Sequence, residues 1–564
     1  QVNSAGVDAI TFAAVTNGTS ISLNNDLPQV TVTSSLTITG NGDDSTVIDG
    51  QDPDNPDHGG LHFNGSGTGT VTVTGIKIQN TYRSSGGAID IDSGDLTVTD
   101  SSLDSNSADS DGGAINIAYG DLTVTGSNFD SNSAVSGDGG AINIADGDLT
   151  VTDSSFTSNS AGNDNDGEGG AIRIIRGDHT VTGSDFSSNS AGDNGGAMSL
   201  SSDATLSVSN STFTNNRSGN EGGSGSSDGG AINAGDVTIS NSTFTGNAAV
   251  ESDAEGGAIE TSSGHVTVTD STFTSNTAGE FGGAIRSSDG DITVSGSTFT
   301  TNSSADDGGV FDTNSGSVTI SDSTFTENSS STTGDGGVVD TDSGSVTISD
   351  STFTDNSGQD GGVVGTESGT VRIAGSTLTG SYSYESGGVV DTSYGSVTIS
   401  DSTLTNNSAV ETGGVVDTYS GSVTISYSTF TNNSSGGDGG VVDTFDGGVT
   451  VSRSTFSGNS AEGDGDGGVI GTSGGAVSVT NSTFTNNTAG DQGAAIVVED
   501  AEGSASVNFV TMVGNTSSRI QGPVGAVDSD GDATVTNSII YGNTGGDVRA
   551  GGALSASYSL LRRR

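Results

Sequence analysis

A unit of about 27 residues repeats along most of this chain, and no other feature restricts its fold as strongly. Each unit carries a Gly-Gly-Ala/Val-Ile/Val block, a Leu/Val-Thr-Val/Ile-Thr/Ser stretch and a Ser-Thr-Phe-Thr-x-Asn corner. The Phe recurs at Phe129, Phe156, Phe186, Phe213, Phe244, Phe273, Phe299, Phe325 and Phe353. It yields to Leu378 and Leu404 and resumes at Phe430, Phe456 and Phe484. An Asn follows three residues later in nearly every unit, as at Asn132, Asn159, Asn216, Asn328 and Asn433. Self-similarity at a fixed period of roughly 20–50 residues means stacked units, each of which buries its apolar face only against its neighbours.

Gly112 to Asn132 shows what one unit does. Ile115 and Ile117 alternate with polar residues, which puts both on one face of a strand. After a Gly120-Asp121 corner, Leu122 and Val124 point inward while Thr123 and Thr125 point outward; a third short strand holds Phe129 and ends at Asn132. Three short strands and three turns per unit describe one rung of a parallel β-helix, with equivalent residues stacked roughly 4.8 Å apart. The expected fold is therefore all-β: a single right-handed parallel β-helix, or β-solenoid, of about 18 rungs of about 27 residues, three short strands per rung. Residues 1–70 read as N-terminal capping rungs, 71–545 as the repeat array and 546–564 as a C-terminal tail or interface segment. Within the array the Gly-Gly-Ala type runs to about 307 and the Gly-Gly-Val type from about 308, which reads as separate duplication of two ancestral units.

Composition has to be reconciled with that fold. A chain with 29% hydrophobic residues, no Trp and a net charge of −57 would ordinarily be called disordered. Here the apolar residues recur at fixed phase, and a thin solenoid core needs few per rung. The four prolines (Pro28, Pro53, Pro56, Pro523) lie near the ends, where no central ladder bond is lost. Seventy acidic residues against 13 basic ones, with Lys77 the one lysine, exclude nucleic-acid binding. The acidity reads as a solubility and salt adaptation, with divalent-cation binding as the alternative. No Cys means no disulfide or thiolate chemistry, and no run of 18 apolar residues exists to span a membrane. No signal peptide precedes Gln1, so the chain reads as a mature secreted or a cytosolic one; sequons such as Asn210-Ser-Thr and Asn481-Ser-Thr would allow glycosylation outside the cell.

The paired Gly-Gly-Ala-Ile and Phe-x-x-Asn motifs resemble the repeats of bacterial polymorphic outer-membrane proteins and related right-handed β-helix surface proteins, over about residues 70–545. Ala9-Ile10-Thr11-Phe12, Leu27-Pro28 and Leu36-Thr37-Ile38-Thr39-Gly40 are similar to the N-terminal capping rungs of such chains. The resemblance implies a secreted or surface-displayed protein, often an adhesin. Ending at Tyr558-Ser-Leu-Leu-Arg-Arg-Arg, the sequence reads as departing from the family pattern of a C-terminal translocator barrel.

Stacking turns single residues into columns. Asp312, Asp340, Asp391, Asp417 and Asp443 follow the Gly-Gly-Val block, with Gly365 interrupting, and form a candidate Ca2+ row if they face outward in register. At about 5 Å spacing their mutual repulsion is on the order of 1 kcal/mol per pair in water. The outward Thr and Ser column (Thr97/Thr99, Thr123/Thr125, Thr319/Ser321) admits ice binding as a minor reading, although Arg372 breaks it. The Phe-x-x-Asn column reads as structural, Phe filling the interior corner and Asn satisfying turn backbone. His58 and His62, near Asp54 and Asp57, read as a capping loop rather than a metal site. Acidic residues this repetitive argue against an enzyme, since catalysis needs an irregular cluster. The function expected is a non-catalytic extracellular or cell-surface β-helix, structural or adhesive: a rigid rod or fibre protomer. Its partners would be itself, other surface or matrix components or glycans. The alternative is a polysaccharide-binding or polysaccharide-degrading β-helix. No cofactor beyond Ca2+ is expected.

Overall fold

Alternation of apolar and hydroxyl residues produces parallel ladders in which each rung repeats the last. In the rung read above, strands run Ile115–Ile117, Leu122–Thr125 and Asn128–Asp130. Each pairs with the equivalent strand one rung on: Ile115 with Ile142, Leu122 with Leu149, Phe129 with Phe156. A fourth strand of two residues, Ser133–Ala134, pairs with Ser160–Ala161, so the expected three strands per rung become four. The Asn at the preceding corner explains the extra pairing: Ser133 N–H donates to Asn106 O, and Ala134 turns its methyl inward.

The computed structural model describes residues 8–11, 21–22, 30–32, 35–43, 45–50, 60–65, 69–162, 166–220, 227–518 and 525–561. The chain divides into two units, Gln1–Gly290 and Asp291–Arg564. Each is a parallel β-solenoid, and no described residue is helical. The change from Gly-Gly-Ala to Gly-Gly-Val, at Gly308-Gly309-Val310, falls inside the second unit.

In the first unit the described parts of residues 1–70 pair in the same ladders as the repeats, Ile38 with Val73 and Ile48 with Ile78. Phe12, Leu27 and Pro28 lie outside the described residues, as do His58, Asp54, Asp57 and Arg562 to Arg564. In the second unit, residues 546–561 are not a tail. Val548–Ala550, Leu554–Ser557 and Leu560–Leu561 pair with the preceding rung. That rung lacks both repeat motifs, which is why the pattern does not reveal it.

The core consists of columns. Phe129, Phe156, Phe186, Phe213, Phe244 and Phe273 stack with centroids 4.7 Å apart and planes within 5° in the first unit. Phe299, Phe325 and Phe353 stack likewise in the second, as do Phe430, Phe456 and Phe484. The paired glycines are required at the corners. Gly308 has φ +63°, and a Cβ on Gly309 would lie 2.3 Å from the Gly337 carbonyl of the next rung.

One inward position departs from the pattern. His179 stands in register with Leu149 on one side and Leu206 on the other and is 2% exposed. Its Nδ1 accepts from Leu149 N–H at 3.1 Å, while Nε2 has no hydrogen-bond partner. Burial holds its pKa below the usual imidazole value. At pH 7 His179→Leu relieves the unpartnered Nε2 but also removes the acceptor of Leu149 N–H, so the two effects oppose one another. Relative to wild type the variant should gain stability below about pH 6.5, where the unfolded imidazole takes up a proton more readily than the buried one. Thermal melts at pH 7 and pH 5 check this, and a variant that gains nothing on wild type between pH 7 and pH 5 refutes it.

Candidate functional site

The strongest concentration of polar chemistry lies along one edge of the second unit, where two acidic columns run side by side. The first is set by the residue before each Gly-Gly. Asp307 Oδ1 accepts from Asp335 N–H at 2.7 Å, Asp360 Oδ1 from Ser386 N–H at 2.8 Å, and Asp438 Oδ1 from Asp466 N–H at 2.6 Å. Each carboxylate thus caps the backbone of the next rung. The second column is the middle residue of the following strand. Asp312 pairs with Asp340, and Asp391 with Asp417 and then Asp443, while Gly365 and Gly471 stand at the same register.

These side chains do not form a plainly solvated face. Asp312 is only 5% exposed, and Asp340, Asp391, Asp417 and Asp443 are half-buried. A Cβ at Gly365 would lie 2.6 Å from Asp340 Oδ1, and one at Gly471 2.6 Å from Asp443 Oδ1. Both carboxyls therefore lean into room that the glycines leave.

Burial, then neighbouring carboxylates, raises the pKa values along this lane. Asp340 is pushed well above the carboxylate range by burial and by Asp312, Asp307 and Asp335. Asp443 is pushed up by burial and by Asp417 and Asp438. Asp391 is pushed well above the usual carboxylate range by burial and then by the neighbouring Asp417. Asp417 rises to about 6 by burial, restrained by the Thr412 hydroxyl donating at 2.9 Å. Asp335 and Glu499 each rise to about 7, mainly by burial. Between residues 307 and 499 the sequence supplies only Arg372 and Arg453 as cations. Arg372 pairs with Thr347 and Thr398 in another sheet, and Arg453 lies over the Tyr427 ring at 5.1 Å.

The corresponding lane of the first unit mixes in cations and amides, although burial still raises Asp228 to about 7 and Glu260 to about 8. Arg173 Nε lies 2.8 Å from Glu168 Oε2, and Arg286 Nε lies 3.1 Å from Glu255 Oε2. Amides occupy the same column at Asn116, Asn143 and Asn233.

Two or three residues beyond Asp391, Asp417 and Asp443, the corner exposes aromatic rings. Tyr394, Tyr419 and Phe445 are 60%, 54% and 49% exposed. Tyr419 and Phe445 are stacked at 5.0 Å and 6°, and Tyr394 meets Tyr419 edge-on at 6.5 Å. A shallow groove of about 330 Å³ continues from Phe445 past Asp446, Ser473 and Gly474 to Glu499 and Asp500. After burial, Asp466 of the first acidic column is the next cause of the raised Glu499 pKa. The aromatic strip and the carboxyl lane therefore converge there.

Sequence reasoning named Asp312, Asp340, Asp391, Asp417 and Asp443 but missed the column of Asp307, Asp335, Asp360, Asp438 and Asp466. Its signal was the recurring acid before Gly-Gly. The aromatic strip was missed because Tyr394, Tyr419 and Phe445 sit at corner positions that other rungs fill mostly with polar residues such as Asn314, Asp342 and Glu367.

The family model described as "Right handed beta helix region" matches residues 163–325, 230–393 and 362–559, together well over half of the chain. It supports the right-handed parallel β-helix and does not distinguish the surface-protein repeat type. No curated protein matches the chain. Among solved structures, a PL6 family alginate lyase, AlyGC, is matched over 98% of this chain and 97% of its own, at 11% identity and a TM-score of 0.33. The expectation that the chain is not an enzyme is corrected by the family match, since right-handed β-helix proteins include many polysaccharide-degrading enzymes. Physically, a repetitive sequence does not make repetitive carboxyls equivalent, because burial sets Asp417 and Asp335 apart from their neighbours.

Proposed function

The chain belongs to the right-handed β-helix family, and from that premise we propose an extracellular or cell-surface β-solenoid that holds a glycan chain along the acidic, aromatic-edged lane of its second unit. The supporting observation is the exposed pair Tyr419 and Phe445, stacked one rung apart beside Asp417 and Asp443. Sugar rings carry an apolar face of C–H bonds that packs on aromatic rings, and their hydroxyls donate to carboxylates. A net charge of −57 repels polyuronates and other polyanions. The glycan class that fits is thus neutral or aminated, since an ammonium group would pair with the lane.

Retention of the protein on immobilised neutral, aminated and uronate polysaccharides tests this reading. The double variant Tyr419→Ala/Phe445→Ala is expected to lose about tenfold or more in affinity for its best neutral or aminated ligand, with an unchanged melting profile. Equal retention of the variant, or binding to uronates alone, overturns it. Chain length measured in the same incubation separates holding from cleavage.

A further inference from the structure

The first described rungs carry a cluster unlike the rest of the lane. His62, in the strand Leu61–Gly65, is in register with Asp90 of the strand Ile89–Ile91, and Asp92 follows that strand directly. His62 Nε2 lies 3.2 Å from Asp92 Oδ1 and 3.6 Å from Asp90 Oδ2, and the three ligand atoms lie within 4.8 Å of one another. We propose that His62, Asp90 and Asp92 bind one first-row transition-metal dication, of the Zn2+ or Co2+ kind, with solvent completing its coordination. The inference is independent of the glycan reading, which concerns the other unit.

The geometry favours an ion over a simple His–Asp pair. Ligands bound at about 2.1 Å lie about 3.0–3.4 Å apart around an octahedral or tetrahedral ion. The 3.2 Å separation of Nε2 from Asp92 falls within that range, and the 3.6 Å separation from Asp90 lies just beyond it, so little movement is needed. An imidazole with two carboxylates is an N/O set suited to these metals, whereas Ca2+ takes oxygen alone.

The carboxylates are also held in place from behind. Asn116 Nδ2 donates to Asp90 Oδ1 at 3.0 Å, leaving Oδ2 turned toward His62. Asn143 in turn donates to Asn116 Oδ1 at 3.0 Å. Asp92 N–H donates to Phe63 O at 3.1 Å, which fixes Asp92 beside the strand that carries His62. This is the supporting shell that metal-binding carboxylates need. Among the described residues Arg83 also approaches Asp90, but its Nη2 stands 3.9 Å from Asp90 Oδ2, beyond hydrogen-bonding distance, and its Nη1 is aimed at Gly60 O. The side chains of His62, Asp90 and Asp92 are 20%, 15% and 46% exposed, so an ion and its waters can enter. Reading His62 as part of a capping loop is corrected accordingly: it lies within a paired strand, where its ring position is set by the register.

With 70 acidic residues, diffuse cation binding must be suppressed. Chelator-stripped protein is therefore titrated with Co2+ in millimolar Mg2+, reading visible absorption and bound metal. One Co2+ per chain with a d–d absorption band is expected, absent in His62→Gln and at least tenfold weaker in Asp92→Asn. Asn116→Ala is expected to weaken binding about tenfold through Asp90 orientation. Because the chain has four histidines, paramagnetic shift of one of four 15N-histidine signals in the unmodified protein gives a readout independent of any variant. No Co2+ retained above the Mg2+ background, retention unchanged in His62→Gln, or no shifted histidine signal overturns the proposal.

Discussion

Replacing Asn216 by Leu is expected to cost the first unit about 3–5 kcal/mol and to introduce an early unfolding transition. Asn216 is fully buried. Its Nδ2 donates to Phe186 O at 3.0 Å and to Asn247 Oδ1 at 3.0 Å. Its Oδ1 accepts from Asn189 N–H at 3.1 Å and from Asn189 Nδ2 at 2.9 Å. The substitution removes four hydrogen bonds and leaves the Asn189 backbone N–H without its acceptor beside the Phe column, an orphaned donor costing about 1–3 kcal/mol. Leu matches the volume, so the loss is polar rather than a cavity. Because stability in a solenoid is a sum of nearest-neighbour interfaces, the damage should centre on the rungs of Asn189, Asn216 and Asn247. Hydrogen exchange resolved along the chain checks this: faster exchange confined to those rungs is the expected result, and unchanged protection there refutes the ladder's energetic role. The second unit contains a natural comparison. Its ladder runs Asn302–Asn328–Asn356, is interrupted at Ser381, whose buried hydroxyl has no partner, and resumes at Asn407.

Removing charge from the carboxyl lane should have the opposite effect. Asp335, Asp417 and Glu499 titrate near 7, 6 and 7, and Asp340, Asp391 and Asp443 are also raised, whereas unfolded carboxyls titrate near 4. The folded unit therefore binds protons more tightly than the unfolded chain. This stabilisation is complete below about pH 4 and is lost as pH rises through 6 to 8. The second unit is expected to melt at a higher temperature at pH 5 than at pH 8. The triple variant Asp340→Asn/Asp391→Asn/Asp443→Asn should be more stable than wild type at pH 8 and indistinguishable from it near pH 4. A wild type most stable at pH 8 would refute the account. If millimolar Ca2+ at pH 8 lifts the wild type to its pH 5 midpoint and leaves the triple variant unmoved, cations rather than protons relieve the repulsion.

Both predictions use columns, and columns were the part of this protein most readable from one sequence. A fixed 27-residue phase places Phe129 over Phe156 without any knowledge of coordinates, because a parallel ladder allows no other way to stack identical units. The Asp row at 312, 340, 391, 417 and 443 was legible for the same reason. The rung at 546–561 was not, since it carries neither repeat motif and is paired only because the rung before it offers an edge. The two-residue strand at Ser133–Ala134 was also hidden, being too short to show a period.

The sequence by itself determined the fold class, the position of the core columns and the register of the acidic row from Asp312 to Asp443, because period and phase are properties of the chain alone. Only the tertiary structure decided what those acids are like. Whether Asp340 is a solvated charge or a half-buried proton carrier depends on the glycine one rung further on, into whose place it leans. Whether His62 belongs to a loop or faces two carboxylates depends on the chain that comes to lie beside it. Burial and separation are set by neighbours distant in sequence, and it is burial and separation that give an ionisable side chain its chemistry.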